Sequence, residues 1–199
     1  VKDSVDNTSP ASGIVASNYG AADASNTAVR AFLWKAGAEV WGSNFNVKSG
    51  KGVEIWRDIR YEVFGDSCAY CGVDGNDREL TIDHLDMINR EQVGLHHPGN
   101  IAPCCRRCQT RKKVGSRRET WEDVLRRRCE ETGTDSEFEL RRDSIHRHMH
   151  DGKYAIPDFP EGTHTALRLI CERLYRSTSR EVNDSVDLYK SILDSFINV

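Results

Sequence analysis

Residues 68–108 read CAYCGVDGNDRELTIDHLDMINREQVGLHHPGNIAPCCRRC, and this stretch decides the fold. It opens and closes on Cys-x-x-Cys pairs, Cys68/Cys71 and Cys105/Cys108, with 33 residues between them. Each spacing lets two thiolates reach one ion, and four sulfurs together complete the tetrahedral shell that structural zinc prefers. A single such pair would equally suit a redox motif or two buried thiols. Cys104 competes as a ligand on the second side and is expected to point into the core instead. A closed four-thiolate shell leaves no position for substrate, so zinc here is structural, tying a strand region to a helix.

Working outward, the cysteine pairs enclose a Gly- and Asp-rich turn (72–77), an extended run (79–84), an irregular loop holding His96, His97, Pro98 and Gly99, and a second run (100–103). A basic helix is expected over about 105–114, and on it Cys105, Cys108, Gln109 and Lys112 would share one face at i, i+3, i+4 and i+7. Upstream, Val53, Trp56, Ile59, Val63 and Phe64 recur at helical spacing and Gly65 sits where a helix stops. Ala28 to Trp41 reads as a short helix and 42–52 as a loop. Residues 1–28, rich in Ser, Asn, Asp, Ala and Thr without a lasting period, read as an extension.

Downstream, Thr120 with Asp123 gives a capping signal for a helix carrying Trp121, Val124, Leu125 and Cys129 and closing near Gly133. A further helix is expected over 136–150, a linker over 156–162, and then two helices. In the last, Val182, Val186, Tyr189, Leu193 and Phe196 step by four and three; core packing is the first reading of that stripe and a dimer seam the second. The fold class expected is α+β, mostly helical, with an extension over 1–50, a core over 51–115 and a helical region over 116–199.

Only 38% of the 199 residues are hydrophobic and 30% are charged, and the mean hydropathy is −0.62, which fits a polar soluble chain. No stretch approaches the apolar length of a membrane span, and the N-terminus lacks a signal-peptide order, so a cytoplasmic protein with no membrane partner is expected. Seven cysteines, five of them in two clusters, make a poor disulfide framework. The net charge of −3 conceals an asymmetry: between Cys104 and Arg128 ten Lys and Arg stand against three acids. A local excess of that kind attracts a polyanion even on a mildly acidic chain.

Thr81-Ile82-Asp83-His84, Asn100 sixteen residues after His84, and the second cysteine pair with Gln109 and Lys112 after it resemble the HNH nuclease family, over 68–113 or about a quarter of the chain. The resemblance implies a ββα-metal core and metal-dependent DNA cleavage to 5′-phosphate and 3′-hydroxyl ends, in a restriction, phage or defence setting. On it, His84 is the general base, Asp83 holds Mg²⁺ or Mn²⁺, and Asn100 pins the loop and orients His84. Gln109 stands where the family places His or Asn as second ligand to that cation, one methylene farther out than Asn, which puts metal affinity in doubt. Arg106, Arg107, Arg111, Lys112 and Lys113 are the expected phosphate contacts, and Arg126 to Arg128 either extend that track or face water. His96 and His97 are read as shaping their loop, and His146 and His150 as a solvated face. The alternatives are an inactive zinc-dependent nucleic-acid-binding module and a nuclease subunit whose C-terminal helices dock a protein partner or a second protomer.

Overall fold

The computed structural model describes residues 20–115 and 117–197; the start of the polar extension lies outside them. The elements in chain order are α1 (Ala21–Trp41), α2 (Lys51–Asp58) running on as a π turn (Ile59–Val63), β1 (Leu80–His84), β2 (Ile101–Cys105), β3 (Lys113–Val114), β4 (Arg117–Arg118), α3 (Trp121–Thr132), α4 (Phe138–His150) and α5 (Thr163–Ile197). This is the α+β, mostly helical architecture expected, with two small antiparallel sheets.

The helix of 53–64 is present and ends at Gly65, whose φ of 56° is open to glycine alone at low cost. α3 begins and ends where the side chains dictate. Thr120 Oγ1 accepts from the Asp123 amide and Asp123 Oδ2 from the Thr120 amide, and Gly133 closes the helix in the left-handed region. β1 and β2 pair from Leu80↔Cys105 to His84↔Ile101. The first cysteine pair leans on that hairpin, since the Ala69 amide donates to Pro103 O at 2.9 Å.

Three apolar clusters hold the elements. The largest joins Tyr70, Leu80, Leu85 and Cys104 to Trp121, Val124 and Leu125 of α3 and to Phe138, Ile145 and Met149 of α4. A second packs Val29 and Leu33 of α1 on Val93, Leu95 and Cys171. The third holds Phe45, Ile59, Ile101 and Tyr154. Burial on this scale contributes about 1.5–3 kcal/mol for each fully covered large side chain. α1 comes so close to the loop before β2 that a Cβ on Gly37 would lie 2.3 Å from His96 O.

Three expectations are corrected. Residues 106–112 form no helix: turns succeed Cys105, and the chain continues into the β3–β4 hairpin. The reason is Arg111, which is drawn inward and buried, a demand that a solvent-facing basic helix could not meet. The one-face alignment of Cys105, Cys108, Gln109 and Lys112 falls with that helix. Secondly, 163–197 is one helix, not two; it contains neither Gly nor Pro, so nothing interrupts it. Thirdly, its stripe is no core: Val186, Tyr189, Leu193 and Phe196 are exposed. α1 is also longer than the 28–41 segment, starting at Ala21. No helix among the described residues is long and apolar enough to cross a membrane.

Candidate active site

The sulfurs of Cys68, Cys71, Cys105 and Cys108 all lie within 4.8 Å of one another. Cys71 Sγ and Cys105 Sγ stand 3.8 Å apart, and the Cys105 amide donates to Cys68 Sγ at 3.4 Å. Four convergent thiols, three of them buried, with a backbone amide turned to one sulfur, form a donor set that fits one zinc ion and no hard cation. Cys104 is not part of it. Its thiol is buried in the core and donates to Cys105 O at 3.3 Å.

The hairpin places Asp83 and His84 at the end of β1, where strand alternation sends neighbouring side chains to opposite faces. Asp83 turns toward Tyr70, on the side of the four-cysteine cluster. Its Oδ2 accepts from Tyr70 Oη at 2.6 Å and from Arg111 Nη2 at 2.7 Å. Burial pushes the Asp83 carboxyl up, and Arg111 and Tyr70 pull against that shift. Arg111 also donates to the carbonyls of His84 and Leu85 and lies against Tyr70, so this side chain, expected on phosphate, is committed inside the protein.

His84 turns the other way. Its Nε2 stands 2.9 Å from His96 Nδ1, and His96 Nε2 stands 2.9 Å from Phe45 O. The His96 ring stacks on Trp34 with centroids 3.5 Å apart and planes within 13°. Burial is the chief cause that draws His84 down to about 3, with His96 and the charges of Arg30 and Arg111 acting in the same direction. Arg30 projects from α1 and, with Arg90 and Arg118, lines a cleft of about 730 Å³ shared with residues 87–91.

Asn100 is wholly buried and pins the loop after β1. Its Oδ1 accepts from the Asp86 amide at 2.8 Å, and its Nδ2 donates to Asp86 O and Leu95 O. It makes no side-chain bond to His84 among the described residues; the link between them is the Leu85 amide on Asn100 O at 2.9 Å. Gln109 is exposed and donates from Nε2 to Ile82 O at 3.1 Å, beside Asp83 in the chain. Asp83 Oδ1 and Gln109 Oε1 make no hydrogen bond among the described residues. The guanidinium of Arg111, 2.7 Å from Asp83 Oδ2, works against tight binding of a cation at this carboxylate.

Of the expected phosphate contacts, Arg106, Arg107, Lys112 and Lys113 are exposed. Arg107 and Lys112 reach Glu131 at 3.7 and 3.6 Å, whereas Arg106 and Lys113 form no ion pair among the described residues. Of the 126–128 arginines, Arg127 pairs with Glu119 and Arg128 with Glu131, whereas Arg126 is exposed and lies over Phe138. His97 accepts from the Gly99 amide within its loop, and His146 pairs with Glu122. Sequence reasoning missed Tyr70, Trp34, Arg30 and the direct contact of His96 with His84; only proximity in three dimensions marks them.

No curated protein and no solved structure gives a significant match to the chain. A family model described as HNH endonuclease matches residues 68–115. The segment that brings together four cysteines, Asp83, His84 and Asn100 is therefore an HNH endonuclease domain.

Proposed function

We propose that the chain is a metal-dependent DNA endonuclease that hydrolyses phosphodiesters to 5′-phosphate and 3′-hydroxyl ends. The observation that carries this reading is an Asp83-His84 pair at the end of a hairpin stapled by the four-cysteine cluster, within the HNH domain. His84 takes a proton from water as the water oxygen bonds to phosphorus and the bond to the 3′ oxygen breaks. Burial, which draws His84 down to about 3, leaves the free ring neutral with a lone pair available, while the same low basicity limits the driving force for taking the proton. Asp83 and Gln109 would hold a divalent cation, which supplies stabilisation of the charge on the departing oxygen when bound. Asn100 fixes the loop behind His84. Arg106 and Lys113 on one side, with Arg30 and Arg118 along the cleft, offer guanidinium and ammonium donors to backbone phosphates.

A second reading, an inactive zinc-dependent nucleic-acid-binding module, is favoured by one observation: Arg111 already neutralises Asp83. Cleavage of supercoiled plasmid by zinc-loaded protein with Mg²⁺, Mn²⁺ or EDTA separates the two. The nuclease reading expects divalent-dependent cutting that His84→Ala abolishes. Plasmid binding without cutting under any metal would leave the binding module.

A further inference from the structure

The contacts around His96 have a direction that the carbonyl of Phe45 sets. A carbonyl oxygen only accepts, so the 2.9 Å contact to His96 Nε2 requires the proton on that nitrogen. Burial lowers the proton affinity of His96 below the ordinary imidazole value, so the ring carries one N–H and its Nδ1 is a lone-pair acceptor. His84 Nε2, 2.9 Å from that Nδ1, must then be the donor. His84 is left with Nδ1 as its basic nitrogen, and Nδ1 makes no hydrogen bond among the described residues.

We propose that His96 is a positioning residue that holds His84 in the Nε2–H tautomer and presents His84 Nδ1 as the proton-accepting nitrogen. The proposal deepens the nuclease reading and rests on it for the rate effect, though not for the tautomer. The device works in both protonation states. When His84 Nδ1 gains a proton, Nε2–H still donates to His96, so the ring neither turns nor loses its partner. A neutral acceptor behind the base fixes its direction without the strong rise in basicity that a carboxylate in that place would bring.

His96 can do this because it cannot turn. Trp34 covers one face at 3.5 Å, Phe45 lies 5.1 Å from its ring, and only 4% of the residue is exposed. Trp34 belongs to α1 and Phe45 to the loop after it, both outside residues 68–115. The helix before the HNH domain thereby becomes part of the apparatus that aims its base.

The test uses the full zinc-loaded chain labelled with ¹⁵N at histidine. The expected result is a slowly exchanging imidazole proton on His84 Nε2, with ¹⁵N–¹⁵N coupling through the hydrogen bond to His96 Nδ1. In plasmid cleavage, His96→Phe, which keeps an aromatic ring between Trp34 and Phe45, lowers kcat at least tenfold with KM unchanged, within the ~10²–10⁴ range of general-base catalysis. His96→Asn, whose Oδ1 replaces the Nδ1 acceptor, recovers part of that loss. A proton on His84 Nδ1, absent coupling in the wild type, or wild-type kcat in a folded His96→Phe protein would overturn the proposal. If His96→Phe does not fold, the wild-type spectrum still decides. A wild type that shows the coupling but cuts nothing supports the tautomer and removes the nuclease reading instead.

Discussion

Arg111 and Asp83 form a buried ion pair, Nη2 to Oδ2 at 2.7 Å, with side chains 4% and 12% exposed. Most of its polar atoms find partners: Tyr70 Oη donates to the same carboxylate oxygen, and the carbonyls of His84 and Leu85 accept from the guanidinium, while Arg111 Nε is buried without a hydrogen bond among the described residues. Arg111→Met strands the carboxylate and both carbonyls together. Removing one partner of a buried pair typically costs about 3–5 kcal/mol, and urea unfolding of the zinc-loaded protein should register a loss of that size. Combining it with Asp83→Asn should restore much of the loss, because no unpaired charge is then buried. Additive losses would show that the pair is not the source.

Asn100 tests the loop between the hairpin strands. Its amide nitrogen donates to Asp86 O and Leu95 O, at 2.9 and 2.8 Å, from a position with no exposure. Asn100→Asp keeps the shape but turns an acceptor toward two carbonyls. The expected cost is about 2–4 kcal/mol, from lost bonds and buried repulsion, and more than that of Asn100→Ala. Equal costs in thermal melts near neutral pH would mean that packing alone holds the loop.

How far these features were legible depends on the range of the interactions. The cysteine pairs, the Asp83-His84 end of a strand, and α3 with its Thr120/Asp123 cap and Gly133 stop are local in sequence, and each carries its own stereochemical signature. The fate of 106–112 is decided elsewhere. Its Arg and Lys residues suit a helix, but Arg111 is required at Asp83, and Lys112 N is held by Glu119 Oε2 at 2.7 Å. The unbroken α5 was concealed by the polar run around Ser177 to Arg180, which lowers amphipathicity without breaking a helix. His96 meets its partners at His84, Phe45 and Trp34 across long sequence separations, and no periodicity encodes that.

The four-cysteine cluster gives a sharper test of ligand identity, since Cys104 and Cys105 are neighbours. One zinc per chain is expected by elemental analysis. Cys104→Ser should retain it, because that thiol faces the core, whereas Cys105→Ser should lower zinc content and weaken the hairpin. Stripping the ion with a strong chelator should unfold residues 68–115 first, as binding free energy of a structural zinc is folding free energy. Retention of zinc by Cys105→Ser with loss in Cys104→Ser would reassign the shell.

Acid should destabilise the fold through buried histidines remote from the metal ligands. His97, drawn down to about 4 chiefly by burial, and His148, also lowered by burial, stay neutral in the native state. The unfolded chain binds their protons first as pH falls, near 6.5. Stability is therefore full above that value and declines as pH drops below about 6.5, for His97 down to about 4, by roughly 1.4 kcal/mol per unit for each histidine still neutral in the native state. His148 Nε2 donates to Ile101 O at 3.0 Å, a bond that glutamine's amide can replace. His148→Gln should accordingly remove about one proton's share of the slope, read from denaturation midpoints between pH 6.5 and 5. An unchanged slope would assign the dependence to other groups.

Gly37 separates helix propensity from packing. It lies within α1, where alanine is intrinsically better by about 1 kcal/mol. A Cβ at this position, however, would meet His96 O at 2.3 Å and His96 N at 2.7 Å, backbone atoms that cannot swing aside. Gly37→Ala must push α1 away from the loop, and Trp34 travels with α1. Overpacking of this kind costs about 1–3 kcal/mol, so a net loss of stability is expected despite the better helix former. Since the displaced helix also carries the ring that covers His96, the same variant should loosen the His84–His96 bond and lower kcat, whereas Gly42→Ala, at a helix stop with φ of 78° and open space around it, should cost stability and leave kcat alone. A Gly37→Ala protein that is more stable and cuts at the wild-type rate would mean that helix and loop yield to each other freely, and that the close approach of α1 to His96 is not required for the site.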